Sequence, residues 1–178
     1  MPLQKGDVLE YSLTDGMTGN KSAIFYRLDQ VSIEEMTFNG GARVEKTDGR
    51  VVAIRTHVAG IFDSSSPPAG WVRTNLKLRM AWSEEYSKPK FRATVTGTDS
   101  YELDGISLQV LKIQYSGWVA NNILFNGSTE RAFPIESTAI YSPELKRIVR
   151  FDAETKAVAG TVRESLRLQH IFRNGSRN

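Results

Sequence analysis

Hydrophobic and polar residues alternate with a period of two along much of the chain, the pattern of strands with one buried face. Phe91, Ala93 and Val95 fall on one side, Arg92, Thr94 and Thr96 on the other. Val52, Ile54 and Val58 share a face opposite Arg55 and His57. Over residues 161–172, Val162, Leu166, Leu168 and Phe172 are in phase with Glu164 and His170, while Thr161, Arg163, Ser165, Arg167 and Gln169 face away. A helix would set Leu166 and Leu168 about 200° apart, so this segment reads as a strand.

Two runs change phase midway. Ile106, Leu108 and Val110 give way to Leu111, Ile113 and Tyr115; Ile24, Tyr26 and Leu28 give way to Val31 and Ile33. A one-residue slip of this kind implies a bulge or a strand passing between packing faces, as in curved sheets. Asp48-Gly49 and Asp104-Gly105 each separate two β-prone runs and predict tight hairpins of type I′, with φ > 0. Asp15-Gly16, Asn39-Gly40-Gly41 and Asn126-Gly127 mark further turns. Residues 59–70, with Ser64-Ser65-Ser66-Pro67-Pro68, predict a long loop or lid, because two prolines remove two strand donors. Any helix is expected within residues 76–86. The fold class read from this pattern is all-β, with at most one or two short helices: a strongly curved antiparallel meander, a half-barrel or partial barrel, forming one domain over residues 1–178.

Composition narrows the function classes. The chain has 178 residues, is 40% hydrophobic and contains no Cys. It is long enough for its own core and holds neither a disulfide framework nor a thiolate zinc site. No apolar run approaches the roughly 18 residues of a membrane span. The net charge of +3 comes from residues 143–178, where basic side chains are interleaved with acids and apolar residues. A nucleic-acid surface carries a denser basic stripe, so none is expected. Residues 1–6 lack the pattern of a signal peptide. The expected location is therefore cytoplasmic for a whole protein, and periplasmic or otherwise extracytoplasmic for a piece of a longer precursor.

The chemical inventory is thin. His57 lies on the polar side of its run and reads as a solvated imidazole. His170 shares a phase with apolar residues, yet six strand residues, roughly 20 Å, separate it from Glu164. No Gly-x-Ser-x-Gly elbow supplies a nucleophile. Glu164 on an inward face needs a partner to offset desolvation, and Arg150 is the natural one. Glu34-Glu35 and Glu84-Glu85 are adjacent pairs whose side chains diverge. Trp71, Trp82, Trp118, Tyr86 and Tyr115 could stack on sugars or bases, or simply pack. No enzyme activity, cofactor or metal is expected.

Residues 141–151 (Tyr-Ser-Pro-Glu-Leu-Lys-Arg-Ile-Val-Arg-Phe), followed by Arg163-Glu164-Ser165-Leu166, resemble a recurring bacterial pattern. Gly6-Asp7-Val8-Leu9-Glu10-Tyr11 resembles the opening strand of the same proteins, and residues 94–104 their middle hairpin. They are β-rich extracytoplasmic domains of unknown function, similar to the curved half-barrel of periplasmic lipoprotein carriers. Some occur as accessory regions of longer chains bearing caspase-like peptidase domains. Leu9 departs from the aromatic residue common there, and the resemblance carries no catalytic residues.

The leading expectation is a non-catalytic binding or accessory domain. Its apolar face would hold a lipid or small apolar ligand, with Val162, Leu166 and Leu168 as walls and Glu164 and His170 as polar groups. The alternatives are a protein-interaction module joined to an upstream domain or protein partner, a sugar- or peptide-binding module using its tryptophans, and a hydrolase built around His170 or residues 59–70.

Overall fold

A computed structural model describes residues 2–85, 90–120, 132–157 and 160–175. It contains β1 (Val8–Asp15), β2 (Lys21–Val31), β3 (Glu35–Phe38), β4 (Arg43–Lys46) and β5 (Val51–Ile54). After helix α1 (Gly60–Ser64) come β6 (Ala81–Glu85), β7 (Lys90–Leu103), β8 (Ile106–Ala120), β9 (Ala132–Ser142), β10 (Arg147–Ala157) and β11 (Gly160–Phe172). They form a single eleven-stranded antiparallel sheet in the order β5-β4-β3-β2-β1-β11-β10-β9-β8-β7-β6. Two meanders therefore meet where the first and last strands pair. Among the described residues the sheet is open, with β5 and β6 as unjoined edges, so the expected half-barrel or partial barrel reduces to an all-β antiparallel sheet that is neither closed nor strongly curled. The reason is topological: pairing β1 with β11 places the chain ends in the middle and leaves two short strands at the margins.

The period-two reading of β7 holds, with Phe91, Ala93 and Val95 buried. The phase change in β2 is a bulge at Asp29, since Leu28 pairs with Phe38 and Gln30 with Thr37. That in β8 lies beside a bulge at Thr96 on its partner, where Val95 pairs with Ile113 and Gly97 with Lys112. Beyond it, the hairpin tip reaches β11, where the Tyr101 hydroxyl donates to the Leu168 carbonyl at 2.7 Å. The expected face shared by Val52, Ile54 and Val58 does not form. β5 is a bulged edge strand that leaves Val52 and Val58 exposed and His57 half-buried rather than solvated.

Asp104 and Gly105 both have positive φ, 51° and 77°, as a type I′ turn requires. At Asp48-Gly49 only the glycine does, at 89°. There the Gly49 N–H donates to the Lys46 carbonyl (2.9 Å) and the Lys46 N–H to the Arg50 carbonyl (2.7 Å), giving a three-residue loop with a glycine bulge rather than a type I′ turn. A Cβ on Gly49 would stand 2.6 Å from the Lys146 carbonyl oxygen, whereas Gly105 faces open space. Gly105→Val is thus expected to cost about 1–3 kcal/mol through strain alone, and Gly49→Val more; equal shifts in denaturant midpoint would contradict this.

Residues 76–80 turn through positive φ at Arg79 and lead into β6, so the helix expected within 76–86 is absent from its described part. Tyr86 and Asn126-Gly127 lie outside the described residues. Helix α1 falls instead inside the expected loop. Residues 61–72 cover the apolar face of the sheet: Trp71 lies 4.8 Å from Phe151 and 5.3 Å from Tyr115, ring to ring, and Phe62 lies 5.1 Å from Phe151. The Trp71 indole N–H donates to the Phe62 carbonyl, and the Tyr115 hydroxyl to the Trp71 carbonyl.

A buried charge network fastens this cover. Arg43 Nε lies 2.5 Å from Glu45 Oε1, Arg43 Nη1 lies 2.7 Å from Asp63 Oδ1, and Arg147 Nη2 lies 2.9 Å from Glu45 Oε2. All four side chains are at most 7% exposed. Asp63 Oδ2 also accepts the N–H groups of Val58 and Ala59, which ties α1 to β4. Burial alone would raise the Glu45 pKa, but Arg147 and Arg43 outweigh it and hold the carboxyl below its usual range. At the chain ends, Asp7 plays a similar part, pairing with Arg173 (2.8 Å) and accepting the Asn174 N–H.

Candidate binding face

Alternation along β7 to β11 turns two rows of polar side chains onto the face opposite the aromatic core. Ser165, Asp152, Thr138, Gln114 and Thr94 are successive cross-strand partners. So are Arg163, Glu154, Glu136, Ser116 and Arg92. Five strands at about 4.8 Å spacing give rows roughly 19 Å long. Together they line a trough of about 610 Å³, within the range of small-molecule sites.

Part of the trough is internally paired. Arg163 lies 2.7 Å from Glu154, Arg150 lies 2.6 Å from Asp152, and the Ser165 and Ser116 hydroxyls donate to Asp152 and Glu136. Among the described residues, Arg92, Thr94, Gln114 and Thr138 have no side-chain partner. The trough thus presents free donors and acceptors, three of them in line across neighbouring strands and Arg92 in the adjacent row. The sequence marked Arg92, Thr94, Arg163 and Ser165 as outward-facing, but only the lateral register shows them to be neighbours.

The five residues expected to form one ligand site are not brought together. Leu166 and Leu168 are fully buried in the aromatic core and Val162 packs half-buried against it. His170 lies on the opposite face: Glu10 pairs with His170 but Tyr11 with Leu168, so Gln169 is a bulge that reverses the phase. Phe172 is exposed for the same reason. The His170 ring instead meets Asp104 at 2.7 Å, at the tip of the β7–β8 hairpin.

Glu164 is half-buried on the apolar side of the sheet, beside the start of α1, and Arg150 is not its partner. Its cross-strand neighbour is Ala153, while Arg150 projects from the other face. The Ile61 N–H donates to Glu164 Oε2 at 2.6 Å, and Gly60 gives the carboxylate room, since a Cβ there would overlap it. Burial pushes the Glu164 carboxyl up, the Ile61 N–H opposes this, and Asp15 adds to it. A folded-state pKa above the unfolded value means this contribution to stability is full below the ordinary carboxylate range. It is lost as pH rises through the raised value. Glu164→Gln keeps the acceptor for Ile61, so the variant should lack that loss. Denaturant midpoints measured from acid to neutral pH check this, and identical pH profiles for the two proteins would contradict it.

Among the described residues, no group of three or more His, Asp or Glu is placed to hold a metal, and no helix is long and apolar enough to cross a membrane. No protein-family model and no curated protein matches the chain. Among solved structures it is similar to a candidate lipoprotein of Parabacteroides distasonis, at 13% identity and a TM-score of 0.47 over 97% of each chain. It is also similar to the hypothetical lipoprotein YmcC of Escherichia coli, at 10% identity and a TM-score of 0.43 over 97% of this chain and 86% of the other.

Proposed function

We propose that the protein is a non-catalytic binding domain that holds a polar ligand in the trough on the outer face of β7 to β11. One observation carries this reading: a trough lined by two rows of side chains, in which Thr94, Gln114 and Thr138 of one row and Arg92 of the other have unused hydrogen-bonding capacity. The apolar face offers less to a ligand, because residues 61–72 already occupy it. A lipid there would first have to displace Trp71 and Phe62 from Phe151. An extracytoplasmic location, as the resemblance of residues 141–151 implies, belongs with this proposal.

Gln114 stands between Thr138 and Thr94 and is exposed, so Gln114→Trp should obstruct the trough with little effect on stability. Ligand-observed NMR with cellotetraose and tetraserine, the peptide acetylated and amidated at its ends so that both polar probes are uncharged, tests the reading. Binding by the wild type and its loss in Gln114→Trp is the expected result. No binding of either probe, or binding that survives the obstruction, overturns it.

A further inference from the structure

We infer that Trp118, one row beyond the trough on the same face of the sheet, is the stacking platform of a saccharide subsite that continues it; this names the ligand class for the reading above and rests on it. Gly117 pairs with the inward-facing Phe91, so Ser116 and Trp118 point to the polar face. Trp118 pairs with Pro134 and remains 51% exposed, a large ring left in water on an otherwise polar surface. Two residues along the same face, the Ser116 hydroxyl bonds Glu136 on one neighbouring strand, and the unpartnered Arg92 lies opposite on the other.

This combination matches the two-sided chemistry of a pyranose ring. Its C–H face is apolar and stacks on an aromatic ring; its rim carries hydroxyls that both donate and accept. Arg92 can only donate and the Glu136 carboxylate only accept, so together they serve a hydroxyl rim in both roles. Opposite charges flanking the platform give an anionic sugar no net advantage, which points to neutral sugars. Hydroxyls that all lie equatorial leave the ring face clear for stacking, so β-linked glucose chains fit best. Single-stranded nucleic acid also uses aromatic platforms, but with a positively charged groove, and here Glu136, Glu154 and Asp152 stand in the rows.

Isothermal titration of the full chain with cellotetraose, tetraserine and an oligo-dT, using wild type, Trp118→Ala and Trp118→Phe, tests the inference. The wild type should bind cellotetraose. Trp118→Ala should weaken it about tenfold, the factor given by 1.4 kcal/mol of lost stacking, with an unchanged thermal midpoint. Trp118→Phe should restore most of the affinity. Wild-type affinity in Trp118→Ala overturns the subsite while leaving the trough reading intact. So does a wild type that binds tetraserine, with Gln114→Trp abolishing it, but not cellotetraose. Tighter binding of oligo-dT than of cellotetraose also overturns the saccharide assignment, and absence of binding to either polar probe removes both readings together.

Discussion

Glu45→Gln is expected to destabilise the protein by about 3–5 kcal/mol, the usual cost of removing one member of a buried ion pair. Glu45 is the shared anion between Arg43 and Arg147, which lie 5% and 7% exposed. An amide can accept from one guanidinium but cannot neutralise two, so a buried positive charge is left uncompensated. The loss would be a large fraction of the 5–15 kcal/mol typical of a whole domain. The same pairing has a pH signature. Because the folded-state pKa of Glu45 is depressed, its stabilisation is present above the unfolded pKa and lost as pH falls through the lower, folded value. Urea midpoints for wild type and variant should therefore converge in acid. A variant as stable as the wild type at neutral pH would show that Asp63 alone balances the arginines.

Trp71→Ala is the second large effect, at about 3–5 kcal/mol. The substitution removes ring contacts with Phe91, Tyr115 and Phe151 and the indole bond to the Phe62 carbonyl. It also uncovers the apolar face. The variant should enhance the fluorescence of anilinonaphthalene sulfonate under conditions where it is still folded, and the wild type should not. Strong enhancement by the folded wild type would mean that residues 61–72 do not fill this face, and would return the apolar-ligand reading to favour.

What the sequence disclosed was whatever depends on neighbours in the chain. Period-two alternation identified β7 and most of β11, Asp104-Gly105 located a type I′ hairpin, and the slip after Leu28 located the bulge at Asp29. The bulge at Gln169 left no comparable mark. Leu168-Gln169-His170 continues the alternation without interruption, and only pairing with Glu10 and Tyr11, far away in the chain, reverses the phase. His170 was therefore assigned to the wrong face, while Glu164 was given Arg150 as a partner because the β10–β11 register, which sets Glu164 opposite Ala153, leaves no mark on either strand. The same distance hid the charge network. Nothing near Arg43-Val44-Glu45-Lys46 in the chain marks it as buried, because Glu45 is paired with Arg147, 102 residues further on. A cue was present: Arg43 and Glu45, of opposite charge, share one face. The trough was half legible, since its side chains were outward-facing by alternation, but cross-strand register alone puts Gln114 beside Thr138 and Thr94.

Amide NMR on addition of cellotetraose distinguishes the polar side of β7 to β11 from the apolar side as the ligand face. The largest shift changes are predicted at residues 92–94, 114–118, 136–138, 152–154 and 163–165, with little change at residues 61–72. Changes concentrated instead at residues 61–72 and around Phe151 would place the ligand in the apolar face and contradict the account.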